Sequence, residues 1–143
     1  KAAVDEAFPS ADIAIFSAAV SDFRPRTVSD RKLKKGADDE ALTHIELVEN
    51  PDILALCGAA KHAGQVVVGF AAETNDVVGN ARSKLSRKKA DFIVANDVSR
   101  GRGFGADSDE VAFVSASGEE HLPEMGKREL ADRILDKALE FLK

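Results

Sequence analysis

Apolar residues recur along the chain in short runs of strand length. Residues 13–16, 66–71 and 92–95 hardly alternate between apolar and polar positions, a pattern typical of parallel strands buried on both faces. Helical patterns flank the second run, at 51–62 and at 76–89. Strands separated by helices at this spacing predict right-handed crossovers within one doubly wound sheet.

The pattern changes in the last third of the chain. A fourth run at 111–114 is followed by a Ser-Gly turn at 117–118, which predicts a hairpin. Residues 127–143 carry apolar side chains at helical spacing and predict a packing helix. The expected fold class is α/β: a Rossmann-like, doubly wound, mostly parallel sheet with a C-terminal hairpin and helix. The length predicts one domain over residues 1–143.

Three segments do not fit this scheme. Residues 43–48 alternate between polar and apolar positions, which predicts a strand at a sheet edge or one that pairs with a second subunit. Residues 23–41 form a long charged loop, with Gly36 as a candidate hinge, that is either a mobile lid or plain surface. The glycine-rich loop at 101–105 lacks the G-x-G-x-x-G spacing of dinucleotide sites.

Composition excludes several classes of protein. The hydrophobic fraction of 44% and the charged fraction of 31% are those of a globular domain, and no stretch is apolar enough to span a membrane. We therefore predict a cytoplasmic protein without membrane contact. The single cysteine, Cys57, fits a reducing compartment, and its apolar neighbours predict a small buried hydrophobe. The three histidines lack metal-ligand spacing.

Charge is distributed unevenly. The net charge of −5 argues against a nucleic-acid partner. Residues 24–35 and 82–89 nevertheless hold eleven basic residues against one acid, Asp30, so the rest of the chain carries −15. Two positive segments in an acidic protein predict a compact polyanion such as a triphosphate, although each alone could be solvated surface. Lys84 and Lys88 favour the interpretation as an anion site, because like charges one helical turn apart repel each other unless an anion lies between them.

The carboxyl ends of the strands are the expected ligand site of such a sheet. Small residues at 17–19 and 71–72 would let a ligand approach the backbone, and Phe70 offers a surface for a base or ribose. The alternative is that these are well-packed strand ends. Asp22, after the first strand, is a candidate to hold a ribose hydroxyl or to help bind Mg²⁺.

Asn50 and Pro51 predict a helix start, with asparagine as the N-cap and proline at the first position. The free amides of such an end attract anions, although the Asp52 carboxylate competes for them. No pairing of nucleophile and base is visible in the sequence. An enzyme with this sequence would therefore work by positioning and charge neutralisation.

Four segments, in order and at matching separations, resemble the bacterial phosphopantothenate–cysteine ligase family. They are SAAVSDF at 17–23, NPDI at 50–53, VGFAAET at 68–74 and ANDV at 95–98. The lysine-rich segments at 32–35 and 81–88 also match. The resemblance extends from about Asp12 to the final helix.

The resemblance implies a two-step reaction in coenzyme A synthesis. The carboxylate of 4'-phosphopantothenate attacks the α-phosphate of CTP, which releases pyrophosphate and forms an acyl-cytidylate. The amine of cysteine then displaces CMP and forms an amide. The family implies CTP as co-substrate, Mg²⁺ with ligands unknown, and a homodimer for which residues 43–48 are our candidate contact.

The resemblance also implies roles for individual residues. Lys32 is the expected catalytic residue, on a flap where it neutralises charge as the acyl phosphate forms and breaks. The expected nucleotide-binding residues are Phe16, Ser17, Ala18, Asp22, Lys32, Pro51, Asp52, Ile53, Leu54, Phe70, Lys84 and Lys88. Lys84 and Lys88 are expected to hold phosphates, in agreement with the charge pattern.

The chain also departs from the family. Family members have an upstream glycine-rich unit, with an asparagine that handles the acyl-nucleotide, and many have a fused flavin-dependent decarboxylase that holds FMN. The chain does not begin with methionine, so we expect a fragment that keeps nucleotide-facing surface but is incomplete as a catalyst. Two alternatives stay open: a non-catalytic nucleotide-binding module, and a fragment of a Rossmann-type NAD-dependent oxidoreductase.

Overall fold

The computed structural model describes residues 1–99 and 107–142. They form two compact units: the sheet unit, Lys1–Ser17 with Ile53–Lys143, and the loop unit, Ala18–Asp52. The prediction of a single domain over 1–143 stays a prediction, and the glycine-rich loop at 101–105 lies outside the described residues. No helix among the described residues is long and apolar enough to cross a membrane.

The described elements follow one another in the order strand, helix and strand that the sequence predicts. They are α1 (Ala2–Ala7), a 3-10 turn (Phe8–Ser10), β1 (Ile13–Phe16), β2 (Phe23–Pro25), α2 (Asp39–Thr43), β3 (Leu47–Glu49), α3 (Ile53–Ala60), β4 (Val66–Glu73), α4 (Val77–Lys88), β5 (Phe92–Asp97), β6 (Ser108–Asp109), β7 (Val111–Ser115), β8 (Gly118–His121), β9 (Met125–Gly126) and α5 (Lys127–Phe141).

The sheet unit is organised around five strands in the order β1-β4-β5-β7-β8. The first three strands run parallel, and β7 and β8 add an antiparallel hairpin beside β5. Alternate residues of a strand point to opposite faces. Val66 and Val68 therefore pack towards α5, while Val67 packs towards α3. Helices cover both faces, which confirms the predicted α/β fold.

Two glycines let α3 pack closely against its neighbours. A Cβ added at Gly69 in β4 would lie 2.7 Å from Leu54 Cδ2, and one added at Gly58 in α3 would lie 1.9 Å from the Lys88 carbonyl oxygen. Any larger side chain would push α3 away from the sheet or from α4. Cys57, next to this contact, is buried as predicted, and burial raises the pKa of its thiol.

The loop unit corrects one prediction. The strand predicted over 43–48 is shorter and begins later: Thr43 ends α2, where its hydroxyl donates to the Asp39 carbonyl at 2.7 Å, and the strand is β3, Leu47–Glu49, which pairs with β2. The alternating pattern does not mark a buried face of this chain, because Ile45 and Leu47 are 62% and 53% exposed.

Candidate functional site

The carboxyl end of β1 brings several predicted nucleotide-binding residues together in the sheet unit. Phe16 is the last residue of β1 and pairs with Gly69 of β4. Its side chain packs against the buried cluster of Phe8, Cys57 and Val67, as do Ile53 and Leu54 at the start of α3. Ser17 follows directly and is exposed. At this end of the sheet unit, an apolar side chain therefore lies next to an exposed residue.

Phe70 lies on the other face of the same sheet. It belongs to the core that packs on α5, whereas Phe16 belongs to the core beneath α3. The Phe70 side chain is half-buried. The two rings thus flank the ends of β1 and β4 from opposite faces, and do not form one wall.

Polar side chains at the ends of β4 and β5 bond to neighbouring elements. Glu73 of β4 accepts a hydrogen bond from Asn80 Nδ2 of α4 at 3.1 Å, and Asn96 Nδ2 of β5 donates to Asp109 of β6 at 3.1 Å. No sequence pattern indicated these pairs, which hold the strand ends in place. In residues 1–99 and 107–142, no three His, Cys, Asp or Glu side chains are grouped to hold a metal ion.

Helix α4 carries the predicted phosphate-binding lysines. It begins after Asp76, whose side chain accepts from the Gly79 N–H at 3.3 Å, and so confirms the predicted helix. Lys84 and Lys88 are neighbours one turn apart and are half-buried. The Lys88 carbonyl oxygen lies where α4 meets α3. Lys88 stands just before the start of β5, and so away from the carboxyl ends of the strands.

The loop unit holds Ala18, Asp22, Pro51 and Asp52, and Ala18 and Asp22 are exposed. The predicted N-cap role of Asn50 is wrong. Its Nδ2 donates to the Ser21 carbonyl at 2.8 Å, and its Oδ1 accepts from Arg24 at 3.0 Å. Helix α3 begins only at Ile53, so proline does not occupy the first helical position.

The basic residues of 24–35 fall into two groups. The arginines are held by partners within the loop unit: Arg24 by the Glu49 carbonyl at 2.9 Å, Arg26 by Glu46 at 2.8 Å and Arg31 by Asp38 at 2.9 and 2.5 Å. The side-chain amines of Lys32, Lys34 and Lys35 are exposed and bond to no side chain or carbonyl in the described part of the chain. In this segment the guanidinium groups are therefore held by hydrogen bonds within the loop unit, whereas the ammonium groups are exposed to a ligand.

Asp38, which the sequence did not single out, organises this basic segment. Its carboxylate accepts both Arg31 bonds and the Lys34 backbone N–H at 2.9 Å. Arg31 first, and then the Lys34 N–H, lower the pKa of Asp38 below its usual value. These interactions are therefore fully present above the usual carboxyl pKa of about 4, and are lost only as the pH falls through the lower folded value.

Comparison with known proteins bears on the family and the fold of this chain. The family described as the DNA/pantothenate metabolism flavoprotein C-terminal domain matches residues 1–142. The Coenzyme A biosynthesis bifunctional protein CoaBC of Vibrio cholerae is 46% identical over 127 residues, 88% of this chain and 32% of that protein. The chain thus spans about a third of the length of the curated relatives it matches.

Two solved structures share the fold. The crystal structure of the C-terminal domain of Coenzyme A biosynthesis bifunctional protein CoaBC has a TM-score of 0.72 and 34% identity, over 95% of this chain and 57% of that one. A Cab2 mutant in complex with phosphopantothenate-cysteine has a TM-score of 0.51 and 13% identity, over 68% of this chain and 33% of that one. The second likeness concerns the fold alone.

Proposed function

We propose, on the premise that this chain belongs to the DNA/pantothenate metabolism flavoprotein C-terminal domain family, that it is the ligase part of a coenzyme A biosynthesis protein. The proposed reaction joins 4'-phosphopantothenate to cysteine at the expense of CTP. The observation that carries the proposal is the exposed group Lys32, Lys34 and Lys35, which no acidic side chain among the described residues neutralises. Such ammonium groups are suited to a phosphate-bearing substrate.

The chemistry consists of two displacements. In the first, a carboxylate oxygen of phosphopantothenate bonds to the α-phosphorus of CTP, and the bond to the β,γ-phosphates breaks, so that pyrophosphate leaves. In the second, the cysteine nitrogen bonds to the acyl carbon and the bond to CMP breaks. CMP leaves with the electron pair, and the amine loses a proton. Both steps move negative charge onto phosphate oxygens, which fixed cations stabilise.

The residues of this chain divide these tasks. Lys32 neutralises charge on the acyl phosphate as it forms and breaks, while Lys84 and Lys88 hold nucleotide phosphates. The remaining proposed nucleotide contacts are Phe16, Ser17, Ala18, Asp22, Pro51, Asp52, Ile53, Leu54 and Phe70. Phe16, Ile53 and Leu54 pack against one buried cluster, which supports a binding role for that end of the sheet unit.

We propose that Mg²⁺ binds only together with the nucleotide. The described carboxylates and histidines do not form a metal cage of their own. Mg²⁺ commonly binds through substrate phosphates, water and one or two carboxylates. We therefore name no protein ligand for the ion and derive no step through it.

The test is an assay of the whole protein with phosphopantothenate, cysteine and either CTP or ATP. We expect pyrophosphate release only when phosphopantothenate is present, CMP release that depends on cysteine, and a preference for CTP of about tenfold or more, or about 1.4 kcal/mol. Tight CTP binding without products would instead indicate a non-catalytic module. Binding of NADH in place of CTP would indicate an oxidoreductase.

We also propose a homodimer that covers the region of residues 43–48. Ile45 and Leu47 are exposed there, as are the nearby apolar side chains of Phe23 and Val28. Exposed apolar side chains that lie together are typical of a protein interface. Light scattering of the whole protein is expected to give twice the chain mass, and a monomeric mass at micromolar concentration would contradict the proposal.

A further inference from the structure

The basic segment of the loop unit is closed on itself. Arg31 and Asp38 stand at the two ends of residues 31–38, and the guanidinium meets the carboxylate through two parallel bonds of 2.9 and 2.5 Å. This paired geometry is the strongest form of ion pair that arginine makes, and it fixes orientation as well as distance. Residues 31–38 are thereby tied into a ring.

Further bonds hold the interior of the ring. The Lys34 N–H donates to Asp38 Oδ2 at 2.9 Å, and the Asp38 N–H donates back to the Lys34 carbonyl at 2.9 Å. Gly36, whose φ of +86° suits glycine, donates its N–H to Asp39 at 2.6 Å. Outside the ring, the Ser29 hydroxyl donates to the Arg31 carbonyl at 2.7 Å.

The side chain of Asp38 is much less exposed than those of the residues around it. Its side chain is only 11% exposed, whereas that of Arg31 is 63% exposed. The lysine side chains of the ring are exposed. An exposed single ion pair has little effect on a protein, but a carboxylate that accepts three bonds and is shielded from water is a structural centre.

We propose that Asp38 is a positioning residue for Lys32: it closes residues 31–38 into a loop that holds the Lys32 backbone in place and so limits where its ammonium group can lie. A cation carried on an ordered backbone stabilises developing charge without the cost of ordering the whole segment during the reaction. The inference rests on the proposed function of Lys32 and adds the group that places it. Asp38 itself does not touch the substrate.

The test uses the whole protein and compares Asp38→Asn, which removes the charge at constant size, with Asp30→Asn. Asp30 lies in the same loop, is exposed and has no side-chain bond in the described part of the chain. We expect Asp38→Asn to lower kcat about tenfold or more, with KM for CTP changed less than about threefold. The melting temperature should shift by less than about 3 °C, and trypsin should cleave within residues 31–35 faster. Asp38→Glu should restore part of kcat.

A double substitution shows whether Asp38 acts through Lys32. In a Lys32→Ala background, Asp38→Asn should have no further effect on kcat, since residues that act as a unit are not additive. Independent losses that multiply would overturn the inference. So would an Asp38→Asn variant as active as Asp30→Asn. If Asp38→Asn does not fold, Arg31→Gln opens the same ring from the other side and is judged by the same outcomes.

The result also separates this inference from the proposed function. A fully active Lys32→Ala variant would contradict the proposed role of Lys32, and the inference with it. An inactive Lys32→Ala variant beside a fully active Asp38→Asn variant would overturn the inference alone.

Discussion

Replacing Lys32 with alanine in the whole protein is expected to lower kcat about 100- to 1,000-fold. A single preorganised group that stabilises charge in a transition state contributes about 2.7–4 kcal/mol to the barrier, which corresponds to this range. KM for CTP should change less than about threefold, because the proposed interaction strengthens only as the acyl phosphate forms and breaks. Initial rates of pyrophosphate release over a range of CTP concentrations measure both quantities.

Lys35→Ala is the matched control for this experiment. Lys35 lies in the same ring, has the same charge and is also exposed; it adds to the positive charge of the segment, but no step of the reaction is assigned to it. Its kcat should stay within about threefold of the unsubstituted protein. Equal losses in both variants would indicate a general effect of charge. A Lys32→Ala variant that loses CTP affinity but keeps kcat would favour a module that only binds the nucleotide.

Replacing both Lys84 and Lys88 with alanine is expected to weaken CTP binding about 30- to 1,000-fold. Each of the two charge-assisted contacts to phosphate is expected to contribute about 1–2 kcal/mol to binding. The loss should shrink as salt is raised from 50 mM to 500 mM, an about tenfold range, because ions screen partly exposed charges. Isothermal titration of the whole protein with CTP at several salt concentrations measures the effect.

Stability provides an internal check on this prediction. Removing the mutual repulsion of Lys84 and Lys88 favours the double variant by about 0.2–0.5 kcal/mol, whereas losing the contacts of their half-buried side chains opposes it, so the free energy of unfolding should change by less than about 1 kcal/mol. Arg87→Ala is the matched control, because Arg87 lies on the same helix, is exposed and has no proposed role. An equal loss of affinity in Arg87→Ala, or no loss in the double variant, would contradict the proposed phosphate site.

The sheet was predictable because buried parallel strands require apolar side chains on both faces. The runs at 66–71 and 92–95 correspond to β4 and β5, which are largely buried. Helix α4 was predictable from the helical pattern at 76–89 and from its position between the two strands. These features depend on local sequence, and the structure places them within one or two residues.

Two local patterns were misleading because tertiary bonds decided the outcome. The alternation at 43–48 satisfies the strand pattern, but α2 takes Thr43, and the apolar side chains of Ile45 and Leu47 remain exposed. Asn50 has the right residue type for an N-cap, but its side chain bonds to Ser21 and Arg24, which lie far away in sequence. Short polar side chains often have such competing partners.

Part of the candidate site had no sequence signal at all. Asp38 and Arg31 are seven residues apart in a segment that is neither helix nor strand, so their pairing depends on the path of the loop. The roles of Gly58 and Gly69 likewise depend on how near α3 comes to α4 and β4. The basic segments were visible in the sequence, but only the structure shows that the arginines are anchored and the lysines exposed.

A crystal structure of the whole protein with CTP bound would show whether these lysines form the phosphate site. The amines of Lys32, Lys84 and Lys88 are expected to lie about 3 Å from phosphate oxygens of one nucleotide, with Lys32 supplied by either subunit. Phosphates bound elsewhere, with these three lysines directed away from them in every subunit, would rule out the proposed site.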